Sequence, residues 1–151
     1  MKKFEQEVVI RWADCDQNRH VRHSAYYDYG AHIRIRFFNE LGFSSTVMNE
    51  LELGPILFKE ECSFIRELHP DDTIKINLLK GEISEDASRW ILHHEIFNHN
   101  GEKSAHITTK GAWMDLGKRK LTVPPTHIAK ALHELPLGEE YTYKKAKSTS
   151  N

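Results

Sequence analysis

The sequence contains no long uninterrupted run of apolar residues. Its apolar stretches are only a few residues long, whereas a membrane-spanning helix needs about 18 or more in succession. In the opening segment, MKKFEQEVVIRWADCD, acidic and polar residues interrupt the apolar ones, so no signal-peptide core is present. We therefore expect a cytoplasmic protein without a membrane span.

An excess of charge of one sign is also missing. The 21 Lys and Arg residues nearly balance the 22 Asp and Glu residues. A protein that neutralises a phosphate backbone over a broad face needs a basic excess. Nucleic acid is therefore not an expected partner.

Cysteine is scarce, since the chain has only Cys15 and Cys62. Two cysteines form no disulfide framework or metal-binding pattern, and they fit a reducing compartment. Cys15 also lies between Asp14 and Asp16, whose negative charges disfavour the reactive thiolate. We expect neither thiol to be catalytic.

The hydrophobic pattern begins as a strand and then becomes a helix. A chain of 151 residues with 39% hydrophobic content can build one core. Alternation from Phe4 to Trp12 predicts a first strand with one buried face. Ser24 and Gly42 are the predicted N-cap and C-terminal stop of one long helix. Its stripe recurs at steps of three and four, at Tyr26, Gly30, Ile33, Phe37 and Leu41.

The rest of the chain is mainly strands. Turn-prone HPDD, SEDAS and NHNG segments separate predicted strands at 56–65, 73–83, 89–98 and 103–116. We expect a four-stranded antiparallel meander joined by short hairpins, and so an α+β fold. His93 and His94 point to opposite faces of their strand, which predicts one packed and one exposed histidine. Residues 126–134 form a predicted short helix, and residues 144–151 a disordered tail.

The densest group of reactive side chains is the loop ADCDQNRHVRH, between the first strand and the long helix. The first turn of a helix has unpaired N–H groups and the positive end of the helix dipole, which suit an oxyanion. A carboxylate beside it can attack a carbonyl or activate water. Asp16, Asn18 and His20 stand at alternate positions there. Ordinary capping and turn chemistry explains the same residues and stays an alternative.

A metal site is a second alternative for this loop. Its carboxylates and imidazoles are of types that bind zinc or iron: Asp14, Asp16, His20 and His23. Arg19 and Arg22 would repel a cation, however, and no second cluster completes the set. We predict no metal and no other cofactor.

The run RWADCDQNRHVRHSAYYDYGAHIRIRFFNELG resembles the amino-terminal signature of the 4-hydroxybenzoyl-CoA and acyl-carrier-protein thioesterase families, which share the hotdog fold. That signature is a strand, Asp-x-Asp, Gly-His-Val-Asn-Asn, an aromatic pair and a helix ending in Leu-Gly. The later segment KEECSFIRELHPDDTIKI is similar to the family's strand, turn and strand, so the resemblance covers about residues 5–116. It implies a hotdog domain at 1–125, with a long central helix wrapped by an antiparallel sheet, followed by the short helix and tail at 126–151.

The resemblance also implies an activity, hydrolysis of an acyl-CoA or acyl-carrier-protein thioester. The family's catalytic aspartate falls on Asp16, and its assisting Asn and His fall on Asn18 and His20. The oxyanion-binding amide falls on or next to His23, and Tyr26 is expected to border the substrate pocket. A homodimer or homotetramer is implied, with each active site at a subunit boundary.

Two departures from the signature keep other functions open. Arg19 replaces the usual Gly, and Arg22-His23 replaces Asn-Asn. If that Gly has a positive φ, Arg19 would strain the turn or change its path. The arginines could instead bind a phosphate of CoA or phosphopantetheine. The alternatives are a hotdog dehydratase that uses His20 with an acid, and a catalytically silent acyl-CoA-binding module.

Overall fold

The structure, a computed structural model, describes residues 3–142. Its helices and strands follow in the order β1 (Phe4–Val9), α1 (His23–Glu40), α2 (Ser45–Glu50), β2 (Leu53–Phe64), β3 (Thr73–Ile83), β4 (Arg89–Phe97), β5 (Lys103–Asp115), β6 (Lys120–Thr122) and α3 (Thr126–His133). The short elements α2 and β6 had no counterpart in the predicted pattern. The tail predicted at residues 144–151 lies outside the described residues.

The strands form one antiparallel sheet in the order β1-β3-β4-β5-β2, with β6 paired to β5. The predicted α+β class is confirmed. The predicted four-stranded meander was wrong, because β2 pairs with β5 rather than with β3. Since β3 already has β1 and β4 as neighbours, β2 lies at the opposite edge of the sheet. The HPDD segment is therefore part of a crossing connection and not of a hairpin.

Helix α1 contacts both edge strands, β1 and β2, as well as β3 and β5 between them. A sheet touched by one helix at both edges must curve around that helix. Ile33 of α1 is fully buried. The ring of Phe38 packs edge-on against Trp113, at 5.3 Å between centroids, and Phe37 packs similarly against Phe4. The predicted long central helix wrapped by a sheet is therefore present.

The C-terminal end of α1 lies where the sequence predicted it, but the N-terminal cap residue is a different one. The predicted N-cap, Ser24, was wrong, because Arg22 occupies the cap position and Ser24 lies in the first turn. Ser24 Oγ instead accepts a hydrogen bond from Nε of Arg22 at 3.1 Å. The predicted stop is confirmed at Gly42, whose φ is +72°. The Phe43 N–H donates to the Phe38 carbonyl at 2.9 Å, as in a Schellman motif.

The first strand is shorter than predicted. It ends at Val9, and residues Trp12–Asp14 form a 3₁₀ turn. In that turn the Asp14 N–H donates to the Arg11 carbonyl at 2.9 Å, which ends the extended conformation. Trp12 was expected on the buried face but is 83% exposed.

The expectation of one exposed histidine in β4 was also wrong, because His93 and His94 are both buried. His94 lies under α1, where a Cβ on Gly30 would come within 3.1 Å of its Cδ2 atom. His93 is covered by the chain that follows α3, since a Cβ on Gly138 would lie 3.2 Å from His93 Cβ. The alternation of β4 does not reveal that a distant segment covers its second face.

No helix in the described range, 3–142, combines the length and apolarity needed to cross a bilayer.

Candidate active site

The loop between β1 and α1 closes as a small hairpin. Cys15 and Val21 form an antiparallel bridge, and the Asp16 N–H donates to the His20 carbonyl at 2.8 Å. The Arg19 N–H donates to the Asp16 carbonyl at 3.1 Å, and Arg19 has a φ of +62°. A turn followed by one left-handed residue is the usual three-residue hairpin loop. Arg19 therefore occupies a conformation that favours glycine, as the departure from the family signature predicted for a strained turn.

The side chain of Asp16 organises the same turn. Its Oδ1 atom accepts hydrogen bonds from the N–H groups of Asn18, at 2.9 Å, and His20, at 3.3 Å. The residue is exposed at the surface. The carboxylate is therefore oriented by the loop backbone while remaining accessible.

Asp14, the first acid of the Asp-Cys-Asp run, is in a different environment. It is 3% exposed and accepts hydrogen bonds from Nη2 of Arg11, at 2.8 Å, and from the Tyr29 hydroxyl, at 3.0 Å. The hydrogen bond from Arg11 holds the pKa of Asp14 below its usual value. Asp14 is thus a buried anion that connects the loop to α1, and Asp16 is the acid that remains open to a substrate.

A surface groove of about 310 Å³ lies beside Asp16, between the start of α1 and the end of β2. Four of the predicted site residues line it, and three others do not. The lining residues are Asp16, His20, His23 and Tyr26 from the predicted set, with Val21, Phe64, Ile65, Arg66 and Glu67. The structure therefore brings the predicted carboxylate, the predicted imidazole and the start of α1 to one depression.

The start of α1 supplies backbone donors at this groove. The helix begins at His23, and the side chain of its cap residue, Arg22, makes no capping hydrogen bond to the backbone of the first turn. The first N–H groups of a helix have no intrahelical partner, and the dipole is positive there. The His23 end of the helix can therefore bind an anion or a developing oxyanion.

Tyr26 forms an apolar wall of the groove. It is almost fully buried, and its ring stands edge-on to Phe64 of β2, at 4.9 Å between centroids. Burial raises the pKa of Tyr26 to about 12, so its phenol stays neutral at neutral pH.

His20 is held by residues that follow β2. Its Nε2 atom lies 3.1 Å from Oε2 of Glu67, and its ring stands edge-on to His69, at 5.3 Å between centroids. The sequence analysis did not single out Glu67. Nothing in the segment IRELHPDD distinguishes it from an ordinary charged residue near a turn.

Asn18, Arg19 and Arg22 lie outside the groove lining. The Arg22 guanidinium donates to the Ala13 carbonyl from Nη1 at 2.7 Å and forms an ion pair with Asp28 at 3.6 Å. Arg22 thus connects the loop to α1, whereas Arg19 and Asn18 are exposed at the tip of the turn.

The two cysteines are not prepared for nucleophilic chemistry. Burial, followed by the charges of Asp14 and Asp16, raises the pKa of Cys15. Burial raises the pKa of Cys62 to about 12. Both thiols therefore stay protonated at neutral pH.

Within residues 3–142, no group of three or more His, Cys, Asp or Glu side chains is arranged to hold a metal ion.

Comparison with protein families identifies the superfamily of the chain. A model of the thioesterase-like superfamily matches residues 10–132, which include the loop, α1 and the whole sheet except β1. The chain belongs to the thioesterase-like superfamily. The predicted enzyme class, an acyl-thioester hydrolase, is thereby confirmed. No curated protein matches the chain significantly.

Solved structures establish the fold of this superfamily member. A hypothetical protein from Staphylococcus aureus, in complex with CoA, has a TM-score of 0.82 at 14% identity, over 94% of this chain and 90% of its own. A 1,4-dihydroxy-2-naphthoyl-CoA thioesterase from Synechocystis has a TM-score of 0.79 at 18% identity, over 89% of this chain and 98% of its own. A DHNA-CoA thioesterase from Staphylococcus aureus has a TM-score of 0.77 at 20% identity, over 87% of this chain and 90% of its own. The fold is the predicted hotdog fold.

Proposed function

We propose that this superfamily member hydrolyses an acyl-CoA or acyl-carrier-protein thioester in the groove beside Asp16, with Asp16 as the catalytic carboxylate. One observation carries the proposal: an accessible carboxylate, oriented by its own loop, lines the same groove as the uncapped start of α1. Thioester cleavage needs a nucleophile or base next to donors for the oxyanion.

Two routes use this arrangement. In the first, an oxygen of Asp16 attacks the thioester carbonyl carbon, the C–S bond breaks with its electron pair on sulfur, and water hydrolyses the resulting anhydride. In the second, Asp16 takes a proton from water as the water oxygen attacks the same carbon; the C–S bond then breaks with its electron pair on sulfur, which takes up that proton. In both routes the His23 amide binds the oxyanion and His20 orients water or the carbonyl, whereas Asn18, outside the groove lining, assists through the backbone N–H that it donates to Asp16. The reaction consumes only water, so we propose no cofactor.

The groove also supports a proposal for substrate contacts. Tyr26 packs against the acyl side of the substrate, because its ring is an apolar wall of the groove that His23 also lines. Arg19, exposed at the loop tip, and Arg22 supply positive charge for a phosphate of CoA or phosphopantetheine. Arg22 already pairs with Asp28, so we expect Arg19 to contribute more to phosphate binding.

We further propose a cytoplasmic homodimer, or a homotetramer built from such dimers, with the groove at the subunit boundary. Support comes from β2, an edge strand that exposes apolar side chains toward solvent: Leu57, Phe58 and Phe64 are 46%, 59% and 49% exposed. Because Phe64 also lines the groove, a partner on this edge would complete the substrate site.

The test is thiol release from short, medium, long and aromatic acyl-CoAs by wild type and Asp16→Asn. An Asn side-chain oxygen can still accept the two loop hydrogen bonds, so the fold should persist while kcat falls by about 100-fold or more. Asp86→Asn is the matched control, since Asp86 Oδ1 also accepts a backbone N–H, that of Ser88 at 2.9 Å, in the turn after β3. Normal turnover by Asp16→Asn would contradict the proposal.

A second experiment separates the two routes. In a single turnover in oxygen-18 water, label entering Asp16 indicates the anhydride, and label entering only the product acid indicates direct attack by water.

A further inference from the structure

The segment after β2 places a second carboxylate at the groove. Oε2 of Glu67 lies 3.1 Å from Nε2 of His20, and both residues line the groove. The ring of His69 packs edge-on against the same imidazole, at 5.3 Å between centroids. Two residues of one segment thus hold the His20 ring.

The backbone keeps these segments together. The Val21 N–H donates to the Leu68 carbonyl at 2.9 Å, so the residue after His20 is tied to the residue after Glu67. An exposed ion pair contributes little stability, because ordering two free side chains costs conformational entropy. The backbone hydrogen bond between Val21 and Leu68 holds the two segments together and so lowers that entropic cost. The His20 N–H in turn donates to Oδ1 of Asp16 at 3.3 Å. A chain of polar contacts therefore runs along the groove, from the Glu67 side chain to the His20 side chain and from the His20 backbone to Asp16.

A carboxylate at Nε2 has a defined effect on an imidazole. It accepts a hydrogen bond from Nε2–H and so holds the ring in one orientation with the proton on that nitrogen, as carboxylates do for catalytic histidines. Nδ1 is then the ring nitrogen that can exchange a proton with a molecule in the groove.

We infer that Glu67 is a positioning residue for His20, which it holds so that Nδ1 transfers the proton during thioester cleavage. The inference rests on the proposed function. In the anhydride route, an oxygen of Asp16 bonds to the acyl carbon, the C–S bond breaks with its electron pair on sulfur, and the imidazolium donates the Nδ1 proton to give the free thiol. Water then attacks the Asp16 carboxyl carbon of the anhydride and releases the product acid, and the neutral imidazole takes the proton that this water loses. The ring ends in its starting state.

The experiment is a double-mutant cycle. Glu67→Gln keeps the shape and an acceptor oxygen but removes the charge, and kcat and KM are measured for it in wild type and in His20→Ala. In wild type we expect kcat to fall about three- to tenfold with KM within about twofold, because a charge-assisted hydrogen bond becomes a neutral one. In His20→Ala we expect no further loss, since Glu67 acts only through His20.

Glu134→Gln is the control, because Glu134 is an exposed carboxylate paired with Lys130 at 3.9 Å on α3. It should leave kcat unchanged. An equal loss of kcat from Glu67→Gln in wild type and in His20→Ala, or no loss of kcat in wild type, would overturn the inference. Turnover that still depended on Asp16 would uphold the proposed function in either case.

A readout without turnover uses the ring-nitrogen chemical shifts of His20. When the ring is neutral, we expect the proton of wild-type His20 to stay on Nε2, and we expect Glu67→Gln to show a mixture of the two tautomers. Unchanged shifts would overturn the inference even if the enzyme proved inactive on every substrate tried. Loss of the proposed function would appear separately, as absent thiol release in wild type or normal release in Asp16→Asn.

Discussion

The hydroxyl of Tyr29 donates a hydrogen bond to Oδ2 of Asp14 at 3.0 Å, and this contact connects the Asp-Cys-Asp loop to the long helix. Asp14 is a buried anion whose other main partner is Arg11. A buried carboxylate is stable only when its oxygens are hydrogen-bonded. The position of Asp16, two residues further on, therefore depends on a residue that does not line the groove.

Tyr29→Phe should lower the free energy of unfolding by about 1–2 kcal/mol, because the substitution leaves a buried carboxylate oxygen short of one donor. We also expect a smaller kcat, since the loop that carries Asp16 loses an anchor on α1. Urea unfolding and thiol-release assays measure the two effects. An unchanged free energy of unfolding would show that Arg11 alone is sufficient for Asp14.

Arg19→Gly should raise the free energy of unfolding by about 1 kcal/mol, since Arg19 has a φ of +62° and glycine adopts that conformation without strain. Arg19→Val should lower it, because a branched side chain is least compatible with the left-handed region. The opposite signs make the pair of variants a test of backbone strain. If Arg19 also binds a substrate phosphate, Arg19→Gly will raise KM while stabilising the fold.

Stability should fall as the pH is lowered from neutral. Burial lowers the pKa of His94 to about 3 from an ordinary value of 6.5, so below about pH 6.5 the unfolded chain binds the proton more readily. The contribution of His94 is complete above that pH and is lost progressively toward the lower pKa. The loss amounts to roughly 2 kcal/mol by about pH 5.

Urea unfolding at neutral pH and near pH 5 measures this loss. His94→Gln should be less stable at neutral pH but should show a weaker pH dependence. Part of that dependence should remain, because burial also lowers the pKa of His106, to about 4. An identical pH dependence in wild type and His94→Gln would contradict the prediction.

Phe58→Glu should convert the proposed dimer to monomers and reduce turnover. Phe58 lies at a β-bulge of the edge strand β2 and is 59% exposed, so a charge there would be desolvated at an interface. Light scattering coupled to gel filtration measures the mass. Val123→Glu is the control, because Val123 is exposed outside β2. A monomeric wild type at assay concentrations would refute the dimer.

Local patterns in the sequence were enough to predict the main elements. The periodic stripe around Ile33 and the stop at Gly42 predicted α1, and the turn-prone segments predicted most boundaries of β3, β4 and β5. The Asp-x-Asn-x-His loop was found because its residue types and spacing are themselves the signal. These features succeed because helix periodicity, strand alternation and glycine turns depend on neighbours a few residues away.

Tertiary contacts decided what those patterns left undetermined. The position of β2 beside β5, the burial of His93 and the contact of Glu67 with His20 all join residues that are far apart in the chain. The different environments of Asp14 and Asp16 also arise this way, because the hydroxyl that reaches Asp14 comes from Tyr29 on α1. The sequence by itself determined which residues could carry the chemistry. Only packing determined which acid is buried and which is accessible, because desolvation and pairing depend on groups brought together by folding.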